Sequence, residues 1–397
     1  MDAATASSPT KRNSVPPATS RVFEPVWAEL ERRHAWRILE DGVDNRKAAV
    51  AKLPYAWQDF DNRRAAAFRE RHHLDALVAG AADDWEALQR LRNWAFTNIR
   101  NGSPSFDIAD LSLTVDASQA GATWWCTFFA YAFVAAATAM GYTARHLGVD
   151  SDHAIDEPST HHGVADVWVG SLRKWVMMDV NYDAHHELDG IPLSAEEIGK
   201  RWQSHRGAGV RAFIGPKRRE VPRANGETKA GEPEACGFFW HYIDCDNDIF
   251  HARFHTNPVI FPVDEARRAA VWYQGPASSG KRHNRYADGT FLTTERIADA
   301  YPDIDCVELE LQKPGKMPYY TPIRLWTSAA PNFSHHVIRL DGGAPMRFDG
   351  IEYPWRLEPG RRSIEVRVVN KAGHEGYAAR IAVRIEEDLA RPAQWPG

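Results

Sequence analysis

The chain has 397 residues, 44% of them hydrophobic and 25% charged, which suits a soluble globular protein long enough for two or three domains. A formal net charge of −5 gives no electrostatic case for nucleic acid or an anionic membrane surface as a partner. Four cysteines, at positions 126, 236, 245 and 306, make neither a disulfide framework nor a close metal-type pair, and a reducing compartment suits them best.

Residues 1–21 are rich in Ala, Ser, Thr and Pro and hold no apolar stretch of signal-peptide length. They read as a disordered tail on a protein that is cytoplasmic by default, with export by an upstream segment left open. No later segment is long and apolar enough to span a bilayer. From Val22 to Gly80, and again over Asp84–Arg92, charged and apolar residues alternate at helical spacing, as in Trp27-Ala28-Glu29-Leu30-Glu31-Arg32-Arg33. This predicts amphipathic helices with a structural role, their charges on solvated faces, packed beside a later apolar helix.

That helix is the run from Cys126 to Met140, which no charge interrupts, so it should be buried on most sides. Thr123 is the expected N-cap and Gly141 the expected left-handed stop. Cys126 then falls in the first turn, where backbone N–H groups and the positive end of the helix dipole favour thiolate. A cysteine on an apolar helix also packs as a small core hydrophobe. A histidine and an aspartate downstream of Cys126 point instead to an activated thiol.

His162–Val169 and Leu172–Asp179 are strand-like, and Gly170-Ser171 between them has the chemistry of a two-residue type II′ turn. Pairing Val169 with Leu172 sets His162 opposite Asp179, Val164 opposite Met177 and Asp166 opposite Trp175. His161 would fall on the other face, so this register prefers His162 as the imidazole held by a carboxylate, a choice that one bulge would reverse.

These three residue types belong together chemically. A thiolate attacks a carbonyl, an imidazolium stabilises the thiolate and protonates the leaving amine, and a carboxylate fixes the ring. Oxyanion donors would come from the Cys126 backbone N–H and from an indole N–H of Trp124 or Trp125, tryptophans that core packing explains equally well.

With these residues in view, the stretch resembles the transglutaminase-like superfamily, thiol enzymes related in fold to papain-like proteases. The matching pieces are Cys126 at the start of the apolar helix, Gly141-Tyr142-Thr143-Ala144-Arg145, His162 with Asp166, Trp175-Val176-Met177-Met178-Asp179, Asn181-Tyr182-Asp183 and Asp189–Glu197. They lie between about Leu74 and Trp202. The resemblance implies an α+β, papain-like core with Cys126 as nucleophile, His162 as base and Asp179 as orienting carboxylate. Thr127 stands where many members carry an aromatic residue, and Gly163-Val164 where many carry a small residue and then an aromatic.

Asp152, His153, His161, His162, His185 and His186 crowd this region, yet none has the helical spacing of a known zinc motif. They read as solvated or hydrogen-bonded loop histidines, and neither metal nor cofactor is called for. Residues 203–313 form an aromatic-rich extension of the 22–202 core. Within it, Gly215–Gly231 reads as a mobile loop, and Gly237–Tyr242 with Trp272-Tyr273 as core or as the lining of a cleft.

Residues 314–397 show short alternating strands at 323–326, 336–340, 363–369 and 379–385, separated by Gly-containing turns, which predicts a small β-sandwich. The run Leu357–Tyr377 resembles later strands of immunoglobulin-like or fibronectin-like modules. Two functions are compatible with this reading: a cysteine acyl-transfer enzyme acting on a peptide, protein or glycopeptide amide, or a non-catalytic scaffold of the same shape that binds such a polymer. The order of the three motifs favours the enzyme.

Overall fold

The computed structural model describes residues 21–52, 57–108, 110–150, 161–205, 208–217, 219–221, 253–257, 270–274, 291–294, 296–390 and 392–394. The uncharged run folds as the helix Cys126–Ala139, and with no polar stripe to offer water it is enclosed, Phe129, Ala130, Phe133, Val134 and Ala137 being buried. It stops where Gly141 takes φ 87° and the Tyr142 N–H returns to the Ala137 carbonyl at 2.9 Å. The cap expected from Thr123 is not made: Trp125 holds the N-cap position without a side-chain bond, while Thr123 Oγ1 donates to the Ser103 carbonyl, 2.6 Å away.

The helix lies against a six-stranded sheet ordered Phe291–Thr294, Ala270–Gln274, Arg253–Asn257, Ala144–Asp150, His161–Val169, Lys174–Met178. The first pair is parallel and the others antiparallel. Ala165, Val167, Val169, Val176 and Met178 share one core with this helix and with Leu88, Leu91 and Ala95 of the helix Asp84–Asn98. Three of the strands come from the 203–313 stretch. Gly237–Tyr242, most of Gly215–Gly231, Asp152, His153 and residues 1–20 lie outside the described residues.

The hairpin register differs from the expected one by two residues. Trp168 pairs with Trp175 and Ala165 with Met178, and the turn is four residues long, Gly170–Leu172 forming a single 3-10 turn before Arg173 at φ 50°. Asp84 causes this by accepting from both the N–H and the hydroxyl of Ser171, which draws Gly170-Ser171 away from a type II′ turn. A slip of two preserves the faces, so His162 and Asp179 remain on one side as diagonal neighbours.

From Val307 the chain is β-rich. Strands Val307–Leu311, Tyr320–Thr327 and Glu352–Arg356 make a three-stranded antiparallel sheet. Phe333–Leu340, Met346–Phe348, Gly360–Asn370 and Ala379–Glu387 belong to a five-stranded one, also antiparallel. Leu309, Ile323 and Trp355 from the first meet Ile338, Val366 and Ile381 from the second in a common core.

The fifth strand is Trp36–Asp44, paired with Ala379–Glu387, and the helix Glu24–His34 sends Trp27 and Leu30 into the same core. The first amphipathic helix therefore does not pack beside the Cys126 helix as expected. Ala35 at φ 52° folds it back onto its own strand, and Trp27 Nε1 donates to Glu40 across that turn at 2.8 Å. Among the described residues no helix is long and apolar enough to cross a membrane.

Candidate active site

Cys126 is the first residue of its helix and is partly exposed. First-turn N–H groups have no intrahelical acceptor, and no side-chain oxygen occupies this helix start, which leaves its positive end facing the thiol. The Gly163 N–H donates to Sγ at 3.2 Å. This approach requires glycine: a Cβ at 163 would lie 2.5 Å from Thr127 Cα and 2.7 Å from Thr127 N, inside the helix backbone.

His162 Nε2 and Asp179 Oδ2 are 3.0 Å apart, and both side chains are buried. With Nε2 on the carboxylate, Nδ1 is the nitrogen left for Cys126, which also hydrogen-bonds the ring. Burial alone would depress the imidazole. The Asp179 charge and hydrogen bond outweigh it, Cys126 adds to them, and together they push the ring up to about 10. The Tyr182 ring covers the imidazole at 5.8 Å between centroids.

Asp179 ends the strand Lys174–Met178 and exchanges two 2.9 Å backbone bonds with Ala184, closing a loop through Val180–Asp183. Behind it lies a buried polar cluster. Arg92 Nε donates to Asp183 Oδ1 at 2.9 Å, Asn93 Nδ2 to Asp183 Oδ2 at 2.7 Å, and Arg92 Nη1 meets His185 Nδ1 at 2.8 Å. His185 Nε2 in turn meets Glu187 Oε1 at 2.8 Å.

The structure thus brings Cys126, His162 and Asp179 together. His161 lies on the same strand, with only its backbone described. Trp124 is fully buried against Phe106 and Phe128, its Nε1 without a hydrogen-bond partner among the described residues, whereas Trp125 is 58% exposed. His185 and His186 are not loop residues but buried members of the strand Ala184–Leu188, and burial holds the His186 imidazole far below its ordinary range. Asp166 serves a different pair, accepting from buried Arg145 at 3.1 Å, and Arg145 lies between the Trp175 and Tyr301 rings. Among the described residues no three His, Cys, Asp or Glu side chains are grouped to hold a metal ion.

Sequence reasoning did not single out Arg92, Asn93 or the Gly163–Thr127 contact. A signal existed for Arg92, which falls four residues after Leu88 on the apolar stripe of its helix, where a charge needs a buried partner.

Among solved structures, the chain is similar to a candidate cysteine protease from Cytophaga hutchinsonii at 13% identity and a TM-score of 0.24, covering 37% of this chain and 49% of that one. It is also similar to a candidate protease from Parabacteroides distasonis at 12% identity and a TM-score of 0.20, covering 47% of this chain and 40% of that one. The chain thus spans about half or less of each of these two structures. No curated protein matches it. Residues 71–180, the segment that carries Cys126, His162 and Asp179, match the model of the transglutaminase-like superfamily.

Proposed function

We propose that the protein is a cysteine-dependent acyl-transfer enzyme that hydrolyses an amide bond in a peptide, protein or glycopeptide. The observation that carries this reading is one imidazole, His162, bonded to Asp179 at 3.0 Å and to the partly exposed Cys126. The family match of residues 71–180 supports it.

In this mechanism the Cys126 thiolate attacks the amide carbonyl carbon while the oxyanion takes N–H donors from the Cys126 backbone and from Trp124 or Trp125. The C–N bond breaks as the imidazolium of His162 gives its Nδ1 proton to the leaving amine. The thioester then loses its acyl group to water: neutral His162 takes a water proton, the oxygen attacks, and the thiolate leaves to restore the ion pair. Asp179 holds the ring on Nε2 throughout. We read the C-terminal β region as an immunoglobulin-like or fibronectin-like sandwich that acts as a spacer or platform for an extended substrate.

The test is the rate of Cys126 alkylation by iodoacetamide against pH, located by peptide mass mapping, in the wild type and in His162→Ala. A rate already on its plateau below pH 7, and lost in the variant, supports the ion pair and justifies a substrate screen. Labelling that rises only near the ordinary thiol pKa, unchanged by the substitution, overturns the reading.

A further inference from the structure

Resting on that proposed triad, we infer that Arg92 is a positioning residue for Asp179, its guanidinium clamping both flanks of the segment that presents the orienting carboxylate. Asp179 is joined to Ala184 by its own backbone, and between them Val180–Tyr182 turn once before Asp183 takes φ 50°. A non-glycine residue in the left-handed region needs an outside hold, even though Asp tolerates it better than most.

The hold comes from the helix Asp84–Asn98. Arg92 Nε and Asn93 Nδ2 take one oxygen each of the Asp183 carboxylate, at 2.9 Å and 2.7 Å. Arg92 Nη1 lies 3.8 Å from Met178 Sδ, the residue just before Asp179, and 2.8 Å from His185 Nδ1 just beyond Ala184. An arginine only donates, so His185 Nδ1 accepts, and the ring is neutral with its hydrogen on Nε2, given to Glu187 Oε1. One fully buried side chain therefore grips the segment before, after and across the Asp179 loop.

A fold device alone does not call for this arrangement, since buried ion pairs are often replaced by apolar side chains without loss of stability. A fixed cation behind a carboxylate also does something an apolar strut cannot: the Arg92 guanidinium attracts the Asp179 carboxylate, which helps to keep it in place facing His162. The charged and titratable groups around Asp179 are then His162 and Cys126 in front, and Arg92, Asp183, His185 and Glu187 behind.

The experiment uses the full chain with Arg92→Met combined with Asp183→Asn, which removes both charges of that ion pair, and with Arg92→Lys as the conservative variant. Folding is checked by circular dichroism, and the Cys126 alkylation profile is read against pH. If Arg92 positions Asp179, the acid limb of the double variant moves up by about one pH unit or more and its rate at pH 6 falls about tenfold, with Arg92→Lys in between.

A folded double variant with the wild-type profile overturns the inference, whatever happens to its denaturation midpoint. Should it fail to fold, Asn93→Ala, which removes one of the two donors to Asp183, decides: a smaller upward shift supports the inference and an unmoved profile overturns it. A wild-type profile that lacks the His162-dependent plateau overturns the proposed function and this inference with it. A wild-type plateau with unmoved variants overturns the inference alone.

Discussion

Gly163 and Thr127 are packed so closely that no side chain fits at position 163: a Cβ there would fall 2.5 Å from Thr127 Cα and 2.5 Å from its Oγ1. Thr127, which stands where many similar sequences carry an aromatic residue, thus makes one contact with Gly163. Gly163→Ala should cost about 1–3 kcal/mol in urea denaturation, the usual size of overpacking, and should slow Cys126 alkylation by removing the N–H from Sγ. Thr127→Ala should not rescue it, because the clash includes backbone atoms. Full rescue would show that the hydroxyl alone sets the spacing.

Asp179→Asn keeps a hydrogen-bond acceptor on His162 Nε2 but deletes the charge that does most to hold the imidazolium. The alkylation rate of Cys126 at pH 6 should fall by about tenfold or more, with the secondary structure unchanged by circular dichroism. A rate equal to the wild type would remove Asp179 from the site.

The fold stabilises the charged form of His162, raising it from 6.5 to about 10. A raised base contributes stability that is complete below its ordinary value and is lost as pH climbs through the folded one. The urea midpoint of the wild type should therefore decline between about pH 7 and 10 more steeply than that of His162→Gln, the two curves converging at the alkaline end. Parallel curves would mean that the ring is not held as imidazolium.

Asp305 has the opposite sign. Its Oδ1 lacks a hydrogen-bond partner among the described residues, and burial raises its carboxyl from 3.8 to about 7. An acid raised by the fold costs nothing below its ordinary value, and the cost grows as pH climbs from there to the folded value, where it is complete. Asp305→Asn should stabilise the protein at pH 8 by about 1–3 kcal/mol, the cost of an unsatisfied buried acceptor, with no gain at pH 4. The left-handed backbone here, φ 49°, suits asparagine as well as aspartate. A gain that is equal at both pH values would point to the backbone and not to the charge.

The pair Arg145–Asp166 lies in the same sheet, away from the thiol, with both side chains fully buried. Asp166→Ala strands the guanidinium between its two aromatic rings and should cost about 3–5 kcal/mol in denaturation. In the folded fraction, the pH profile of Cys126 alkylation should stay as in the wild type. A moved profile would tie this pair to the site.

Legibility in the chain tracks the range of the forces involved. The Cys126 helix and the strand Gly360–Asn370 announce themselves through local pattern, an unbroken apolar run in one and period-two alternation in the other. The hairpin turn does not, because Asp84, 87 residues from Ser171 in sequence, decides its length. His162 and Asp179 meet anyway, since the slip is even and the pleat repeats every two residues. Amphipathicity shows that the helix Glu24–His34 buries Trp27 and Leu30, but not against which core. The Arg92 clamp depends on side chains from three separate elements and shows in the sequence only as a charge misplaced on an apolar stripe.

Pairing of Trp36–Asp44 with Ala379–Glu387 has a bearing on synthesis. The second of these strands leaves the ribosome about 340 residues after the first, on the order of half a minute or more at ordinary translation rates. Until then Trp27, Leu30, Trp36 and Ile38 have no finished core to enter. The core around Cys126 is drawn from residues 65–180 and so has time to form first, while the end of its helix waits for His374 and Asn370 to bond the Met140 and Gly141 carbonyls. Removing the strand Ala379–Glu387 would uncover two edges at once, Trp36–Asp44 far away in sequence and Gly360–Asn370 beside the cut, and a truncated product should be recognised by chaperones through both.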